Sequence, residues 1–414
     1  MNFLRCGEDA VAVIDSFSVE GFKSFADPTE VDLGAVNVFV GANGSGKSAL
    51  LEALGVLSSV ASGRVDDGRL SERGVRPGVP ILYKSSFRTR KGRPIITLSA
   101  RAEDELHYRV SLWNPLEELE PASISSLQWK VHSESMTRGK TLVKGLSRSP
   151  KSKQLPVDEF TSLLSTVAGR QAYKRYEPLA LALDDYCIYC PDTPSLRGIV
   201  PDIDVRIPIG LRGGRLPEAL LEMFSAPASE RISTRFRAYQ ELLDWVGETL
   251  VRTRSEAAVS PSVPTPLRVV VFDDRFMDSK RNRLTAFDAS EGALYVCFLA
   301  VLALHPRSPR LFAVDNFDHG LHPRLAQRTM ELFCRDILKT GRRALMTTHN
   351  PLVLDGLDLR NDQLRLFAVE RDTDGVSRVR RIVLDPDLLE NAKQKGIPLS
   401  RLWVTGRLGA VPNL

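Results

Sequence analysis

The chain has 414 residues, 43% of them hydrophobic, which is enough for two or three domains and a sizeable core. Its 56 Lys and Arg residues against 51 Asp and Glu give a formal charge of +5, and this bias is too weak to indicate a nucleic-acid partner by itself. No segment approaches the roughly eighteen consecutive apolar residues of a membrane helix, and the N-terminus lacks a cleavable apolar segment. We therefore expect a cytoplasmic protein with no membrane partner.

Residues 1–113 are predicted to form an N-terminal lobe. Residues 11–40 are rich in β-branched and aromatic side chains, with turns at Asp27-Pro28 and Gly34, which is typical of two or three strands. They lead into GANGSGKS, residues 41–48, and then into ALLEALGVLSSV, in which apolar residues recur at helical spacing. Three later stretches, ILYKSSF, PIITLSA and LHYRVSLW, predict an antiparallel side sheet.

Residues 114–265 are predicted to be an inserted, mostly helical subdomain, with helical spacing in residues 159–176, 217–224 and 233–250. Near its start, residues 130–154 carry a single acid, Glu134. The seven basic residues of this segment are Lys130, Arg138, Lys140, Lys144, Arg148, Lys151 and Lys153. A solvated loop is the simpler interpretation, and a site for DNA, RNA or an acidic partner is the alternative.

The five cysteines do not indicate a disulfide framework, because their number is odd and most lie in apolar segments. Cys187-Ile-Tyr-Cys190 has the spacing of half a zinc site or a redox pair. No second Cys or His pair lies near enough in sequence to complete four ligands, and YCIYC also alternates like a strand. A structural role is therefore favoured for this pair.

Residues 266–414 are predicted to form a C-terminal lobe in which strands and helices alternate. The strands are LRVVVFD, LFAVD and RRALMTT, and the helices are EGALYVCFLAVLAL and PRLAQRTMELFCRDIL. This alternation predicts a parallel sheet with right-handed crossovers, which the helical insertion splits in sequence.

The segment from Gly41 to Ser48 matches the P-loop pattern GxxxxGK[ST], with an apolar strand before it and a helix after it. In such a loop, backbone N–H groups surround phosphate oxygens at a helix N-terminus. The residues expected to bind the nucleotide are Gly41, Asn43, Gly44, Ser45, Gly46, Lys47 and Ser48. Lys47 would reach the β- and γ-phosphates and Ser48 would bind Mg²⁺, so ATP and Mg²⁺ are the predicted cofactors.

Two further residues follow apolar strands and are predicted to complete the site. Asp315 ends the strand at residues 311–314, so its carboxylate would emerge where α/β proteins bind ligands and would hold Mg²⁺ together with Ser48. His349 follows the strand RRALMTT and would lie near the γ-phosphate, where an imidazole can sense phosphate or position water.

Together with Ser290-Glu291-Gly292, these motifs resemble the ABC-type ATPase heads of the SMC, RecF and OLD group. EGFKSF resembles the N-terminal signature of the group, ASEGALYVCFLAVLAL its signature helix, and GLHP followed by TTHNP its solitary-ATPase branch. The resemblance covers about residues 11–60 and 268–355. It implies a P-loop NTPase fold and a head-to-head homodimer or higher oligomer, with Ser290 and Gly292 touching the γ-phosphate of the other subunit and Asp318 in the loop that crosses the interface.

A narrower resemblance is to the ATPase subunit of Septu-type and retron-associated anti-phage systems. It rests on VDNFDHGLHP, on LRGIV at residues 196–200 and on the closing LSRLWVTGRLGAVPNL. It implies a partner effector protein such as a nuclease. No nuclease-like acidic cluster follows the ATPase motifs, so the effector would be a separate chain.

The chain departs from the pattern of the group at two places. Asn316 stands where the group has a glutamate that activates water, and losing a general base typically costs on the order of 10² to 10⁴ in rate. We therefore predict slow hydrolysis, with Asp318 or His349 as the available substitutes. The group also has a loop glutamine that contacts magnesium, and this chain has no glutamine between Ser48 and Gln128. A later residue or water would take the place of that glutamine.

These observations favour an ATP-binding regulator of a partner effector in anti-phage defence, in which ATP is a conformational ligand rather than a fuel. The alternative is a RecF-like DNA-maintenance ATPase that binds DNA directly through residues 130–154. A transporter's nucleotide-binding subunit is less favoured, because the signature SEG is not of the transporter type and the chain carries a large insertion.

Overall fold

The computed structural model describes residues 14–76, 78, 80–89, 92, 94–103, 105–113, 129–149, 158–167, 170–202, 206–225, 229–264, 266–384 and 397–407. The chain divides into two compact units. The first comprises Met1–Gly34, Asn43–Cys187 and Val369–Arg380, and the second comprises Ala35–Ala42, Ile188–Ala368 and Arg381–Leu414. The division into 1–113, 114–265 and 266–414 stays a prediction.

The described strands are β1 (Ile14–Glu20), β2 (Thr29–Asp32), β3 (Val36–Val40), β4 (Ile95–Ala102), β5 (Leu106–Trp113), β6 (Lys130–Arg138), β7 (Thr141–Arg148), β8 (Ile188–Tyr189), β9 (Val246–Thr253), β10 (Arg268–Asp274), β11 (Arg283–Thr285), β12 (Leu311–Val314), β13 (Arg343–Thr347), β14 (Leu364–Arg371) and β15 (Ser377–Ile382). The described α-helices are α1 (Lys47–Ala61), α2 (Asp67–Ser71), α3 (Leu163–Val167), α4 (Glu177–Asp184), α5 (Thr193–Leu196), α6 (Leu216–Ser225), α7 (Ser229–Gln240), α8 (Glu291–Leu304), α9 (Pro323–Thr340) and α10 (Leu399–Val404). Three 3₁₀ turns cover Pro80–Tyr83, Gln171–Tyr176 and Pro351–Gly356.

The first unit is built on an antiparallel sheet with strand order β2-β1-β4-β5-β6-β7. Alternate residues of β2 and β5 are buried, and the buried Phe17 of β1 pairs with the buried Val31 on one side and Ala100 on the other. Such alternation is expected of a sheet with one face on the core. Helix α1 packs against β1 and β4 of this sheet. The predicted side sheet is therefore present.

Two predictions for this unit are wrong. ILYKSSF forms the 3₁₀ turn Pro80–Tyr83 and an isolated bridge between Phe22 and Lys84, because Tyr83 packs its ring against Phe22 and Trp129 instead of joining a strand. Residues 130–148 are not a loop but the hairpin β6–β7, which continues the sheet beyond β5. Strand β6 buries Val131 and Met136, but its many polar residues leave no clear apolar alternation in the sequence. Residues 150–154 lie outside the described residues.

The predicted parallel sheet lies in the second unit, except that residues 369–371 of β14 and 377–380 of β15 belong to the first unit. Its strand order is β15-β14-β3-β13-β12-β8, and β3 lies between β13 and β14, so an N-terminal strand is flanked by C-terminal ones. Each described pairing among β14, β3, β13, β12 and β8 is parallel. All residues of β3 and β12 are buried, as expected of a parallel sheet covered on both faces.

The second unit also contains a small antiparallel sheet, β11-β10-β9, packed against α6 and α7. The prediction that LRVVVFD joins the parallel sheet is wrong, because β10 pairs antiparallel with β9 and β11. The predicted helix over residues 233–250 ends at Gln240 and continues as strand β9, whose valines and threonines suit a paired strand. Among the described residues, none of the helices has the length and apolar character that crossing a membrane requires.

Candidate nucleotide-binding site

The glycine loop turns sharply into α1, and glycines make the turn. Gly46 has φ 114°, in the left-handed region, and immediately precedes the helix. A Cβ atom at this position would lie 2.5 Å from the Ser377 hydroxyl oxygen and 2.9 Å from that of Ser24. Both the conformation and the space therefore require glycine here. A Cβ at Gly44 would meet nothing within 4 Å, so the loop is open on that side.

The residues of this loop fit a phosphate group. The first turn of α1 has no acidic residue and the helix has no side-chain cap, so no carboxylate of this turn opposes an anion at its main-chain amides. Lys47 is 5% exposed and Ser45 is 3% exposed, and the Ser45 hydroxyl has no hydrogen-bond partner within the described residues. A buried hydroxyl of this kind requires a partner, and a phosphate oxygen on a helix N-terminus would supply one.

Asp315 is held by a threonine at the end of the neighbouring strand. The Thr347 hydroxyl donates to Asp315 Oδ1 at 2.5 Å and accepts from the Asn316 amide N–H at 2.8 Å. Thr347 is fully buried and ends β13, which pairs with β12 in parallel register. One hydroxyl thus fixes both the carboxylate and the backbone that follows it.

Asn316 adopts a left-handed backbone conformation, with φ 58°. Asparagine tolerates this region better than other residues that carry a Cβ, whereas a longer side chain such as glutamate is strained there by roughly 1–2 kcal/mol. The sequence departure at this position therefore agrees with the local backbone. An amide side chain cannot take a proton from water.

Asp318 is held by Thr348, the residue that follows β13. The Thr348 hydroxyl donates to Asp318 Oδ1 at 2.6 Å and accepts from the Asn350 N–H at 3.0 Å. His349 lies between these two bonded residues, and its side chain is exposed. The adjacent threonines of TTHNP therefore position both acids after β12, a role that the sequence analysis missed, although the TT pair was visible.

The signature segment begins α8. Ser290 occupies the N-cap position with an exposed side chain, yet its hydroxyl makes no capping bond. The simple capping role does not therefore account for it. A Cβ at Gly292 would lie 3.3 Å from the carbonyl oxygen of Gly320, so a glycine lets α8 approach the segment that follows Asp318 closely.

The start of α8 is also braced by residues that the sequence analysis did not identify. The Thr193 hydroxyl donates to the Glu291 carboxylate, and Arg197 donates to the carbonyl oxygen of Ala289 at 3.3 Å. The Tyr295 hydroxyl donates to the carbonyl oxygen of Pro191 at 2.6 Å. Arg197 lies in the LRGIV segment, so that segment has a structural role in holding the signature helix.

Near the glycine loop, α1 carries a buried carboxylate that the sequence analysis also missed. Glu52 is 2% exposed and accepts from Arg76 Nε at 2.7 Å and from Lys23 Nζ. Burial favours the protonated form, but the hydrogen bonds and charges of Arg76 and Lys23 outweigh it and lower the pKa of Glu52. The carboxylate is thus kept ionised in the core of the first unit.

The predicted site residues fall into two sets. Gly41, Asp315 and His349 follow β3, β12 and β13, so they lie at the carboxyl edge of one parallel sheet in the second unit. Lys47 and Ser48 belong to α1 of the first unit, so the joint magnesium site of Ser48 and Asp315 stays a prediction. Within the described residues, no three His, Cys, Asp or Glu side chains form a metal-binding group.

The cysteine pair is placed by β8. Cys187 is buried immediately before this strand and Cys190 is exposed immediately after it, and neither forms a disulfide. The strand interpretation of YCIYC is therefore confirmed. With no metal group around it in the described part of the chain, the pair gives no support to a zinc site.

The basic residues of the β6–β7 hairpin make internal contacts. Lys130 pairs with Glu159 at 2.6 Å and lies over the ring of Trp113. Arg148 donates to the carbonyl oxygen of Thr161 at 2.7 Å. These contacts account for part of the positive charge without a nucleic acid.

Two family models match the chain. The model described as an AAA ATPase domain matches residues 13–91, which contain the glycine loop and α1. An AAA domain model whose description names the AbiEii toxin and Type IV TA systems matches residues 222–355, which contain the signature segment, Asp315 and His349. No curated protein matches the chain in sequence.

The fold is similar to solved SMC heads. An SMC head bound to the C-winged helix domain of ScpA is 14% identical, with a TM-score of 0.54 over 90% of this chain and 98% of that chain. Two further heads have lower scores. The one from Pyrococcus furiosus is 13% identical, with TM-score 0.49 over 93% of this chain and 98% of that one, and the one from Thermotoga maritima is 14% identical, with 0.46 over 90% and 99%. The first similarity confirms the predicted fold, an α/β fold like that of an SMC head.

Proposed function

We propose that this protein binds ATP with Mg²⁺, hydrolyses it slowly and uses the bound nucleotide as a conformational signal. The observation that carries the proposal is Asn316. It follows Asp315 directly, in a left-handed conformation that suits asparagine, and its main-chain N–H is bonded to Thr347. The position of the catalytic glutamate is therefore built around an amide, while the glycine loop keeps every residue of its motif.

The binding roles follow from the chemistry of each residue. Lys47 and the amides at the start of α1 stabilise the negative charge of phosphate oxygens. Ser48 and Asp315 would supply oxygen ligands of the type that magnesium prefers, and water would take the place of the missing loop glutamine. When bound, magnesium neutralises charge on the β- and γ-phosphate oxygens. His349, which is exposed two residues after the end of β13, senses the γ-phosphate.

Two copies of the chain close around ATP in this proposal. Support comes from Ser290, whose hydroxyl is exposed at the N-terminus of α8 and does not cap it, and from the neighbouring Gly292. A helix N-terminus with a free hydroxyl suits an anion presented by a second subunit as well as one in its own subunit. Gripping one phosphate from both sides gives the differential affinity that a switch between open and closed dimers requires.

The closed dimer regulates a separate effector protein. The resemblance of the closing and LRGIV segments to ATPase subunits of anti-phage systems favours a nuclease as this effector. The structurally similar SMC head is itself bound to a domain of ScpA, which shows that a head of this fold can bind a protein partner. The RecF-like alternative has less support, since Lys130 and Arg148 are engaged within the protein.

The test measures mass and ATP turnover of the purified protein with and without the product of the neighbouring gene. We expect a dimer or higher oligomer that forms with ATP, slow turnover, and a stable complex with the partner. A monomer at saturating ATP would contradict the dimer, and turnover at ordinary ATPase rates would contradict the switch. Turnover stimulated by DNA and suppressed by salt would support the RecF-like function instead.

A further inference from the structure

The glycine loop contacts a distant part of the sequence, the tip of the β14–β15 hairpin. Ser377 begins β15 and is fully buried, and its hydroxyl donates to the carbonyl oxygen of Ser45 within the loop. The two residues are 332 positions apart. Residues 369–380 belong, with the loop from Asn43 onward, to the first unit.

A second serine completes this contact. The hydroxyl oxygens of Ser377 and Ser24 lie 2.7 Å apart, and the Ser377 N–H donates to the carbonyl oxygen of Ser24 at 2.8 Å. A carbonyl only accepts and a hydroxyl has a single hydrogen. The Ser377 hydroxyl is placed to donate to both the Ser45 carbonyl oxygen and the Ser24 hydroxyl oxygen, and its single hydrogen is shared between these two acceptors.

The surrounding residues keep the hairpin tip in place. Ser24 belongs to the tight turn in which Phe22 and Phe25 exchange main-chain hydrogen bonds of 3.0 and 2.8 Å. Arg378 joins the tip to this turn through Asp27 at 2.7 Å. The same guanidinium also pairs with Asp372 at 3.1 Å.

The bond from Ser377 fixes the direction of an amide in the loop. The carbonyl of Ser45 and the N–H of Gly46 belong to one planar trans peptide, so they point in opposite directions. Holding the carbonyl toward Ser377 aims the Gly46 N–H to the other side of the loop. Main-chain N–H groups of this loop are the ones that surround phosphate oxygens in a P-loop.

We infer that Ser377 is a positioning residue for nucleotide binding, acting through the Ser45–Gly46 peptide, with the Ser24 carbonyl holding the main chain of Ser377 in place. The inference rests on the proposed function. It assigns the tip of the β14–β15 hairpin to the nucleotide-binding machinery, although this segment lies outside every motif of the sequence. Without the serine hydroxyl, the peptide rotates more freely and the Gly46 amide is no longer held ready for an anion.

The test compares Ser377→Ala with Ser99→Ala in the full chain. Ser99 is a matched control, because it is buried in the same unit and its hydroxyl lies 2.7 Å from that of Ser18, away from the loop. Binding of ATPγS with magnesium is measured by calorimetry, and the melting temperature without nucleotide is measured in parallel. We expect both variants to melt lower by similar amounts and only Ser377→Ala to bind about three- to tenfold more weakly, as befits one lost hydrogen bond.

Wild-type affinity in Ser377→Ala, or equal weakening in both variants, would overturn the inference. Should Ser377→Ala fail to fold, Ser377→Cys keeps the side-chain size but donates weakly, and the same loss of affinity is expected of it. Wild-type affinity in Ser377→Cys would then overturn the inference. Failure of the wild type itself to bind ATPγS would instead remove the proposed function, so the two failures are distinguishable.

Discussion

The glycine loop and the segment after β12 are held in different ways. The loop is held through its main chain. Ser377 donates to the Ser45 carbonyl, and Gly46 adopts a left-handed conformation that favours glycine. The segment after β12 is held through its side chains, by Thr347 on Asp315 and Thr348 on Asp318. The first arrangement leaves amides for an anion, and the second leaves carboxylates fixed in direction.

The two regions also differ in how closely they follow the pattern of ATPase heads. Every residue of the loop motif is present, whereas the position after Asp315 holds Asn316 instead of the glutamate. In the proposed function, binding and hydrolysis are therefore separable. Variants in the loop should change affinity, and variants after β12 should change turnover or the magnesium requirement.

The largest effect is expected of Lys47→Ala, because the lysine supplies the positive charge at the start of α1. We expect the dissociation constant for ATP to rise at least about 100-fold. At an ATP concentration about 100 times the wild-type dissociation constant, this change removes most of a stabilisation of roughly 2.7 kcal/mol. The measurement is the ATP-dependent rise in melting temperature. The control is Lys130→Ala, because Lys130 belongs to the same unit and pairs with Glu159. This variant should keep the full ATP-dependent rise in melting temperature. An undiminished rise in Lys47→Ala would refute the P-loop assignment.

The next effect is a gain in rate, expected of Asn316→Glu. A carboxylate at this position restores a base, and a base typically contributes on the order of 10² or more. The left-handed backbone strains glutamate, so we expect a gain near the lower end and a stability loss of roughly 1 kcal/mol. Phosphate release measures the rate.

Asn316→Gln is the matched control for this prediction, because glutamine has the same length and the same backbone strain but no carboxylate. It should lose stability as Asn316→Glu does and gain no rate. Equal rates in the two variants would show that the missing base is not what slows hydrolysis, and that other geometry is lost as well.

The sequence predicted more of the first region than of the second. The glycine loop and its flanking strand and helix follow from local pattern alone, since glycine spacing and apolar periodicity are properties of one short segment. Ser377 could not be found in this way, because it lies 332 residues from the loop and a lone serine carries no pattern. The left-handed conformation of Asn316 likewise depends on Thr347 in a neighbouring strand.

The errors in the fold prediction have related physical causes. The sequence favours a loop over the hairpin β6–β7 because the core-facing residues of the hairpin alternate with basic ones, and a run of basic residues is typical of a solvated loop. The sequence predicts a helix over strand β9 because the leucines at residues 242–243 continue the helical spacing of α7. In both cases pairing with a neighbouring strand, a tertiary effect, decided the structure.

A smaller effect is expected of Thr347→Val, which keeps the shape of the side chain and removes the hydroxyl on Asp315. The carboxylate then loses its fixed direction and the Asn316 N–H loses its acceptor, at a cost of about 1–3 kcal/mol in stability. We expect the magnesium concentration for half-maximal ATP binding to rise about three- to tenfold. Thr348→Val, which frees Asp318 instead, should leave the magnesium requirement unchanged. Equal shifts in both would exclude Asp315 as the specific magnesium ligand.

A buried titratable group in each unit makes the stability of that unit depend on pH in a different range. In the first unit, the pKa of Glu52 is lowered, so its stabilising contribution is present above its ordinary pKa and is lost only as the pH falls below that value. In the second unit, His305 at the end of α8 is 2% exposed, and burial, assisted by Arg307 and Arg342 and opposed by Glu222, lowers its pKa to about 4. The folded state therefore binds fewer protons at His305 than the unfolded state does in the window from about 6.5 down to about 4.

The smallest predicted effect follows from this difference. Since the unfolded state takes up the extra proton, stability should fall by about 1 kcal/mol between pH 7 and pH 5.5 through His305 alone, whereas Glu52 stays ionised in that range. His305→Asn keeps an acceptor for the Arg307 N–H, which now bonds to His305 Nδ1 at 3.0 Å, and removes the titration. We expect the variant to lose less melting temperature than the wild type over the same pH range. Equal losses would mean that groups other than His305 set the acid sensitivity of the second unit, because the only titrating group that differs between the two proteins is this imidazole.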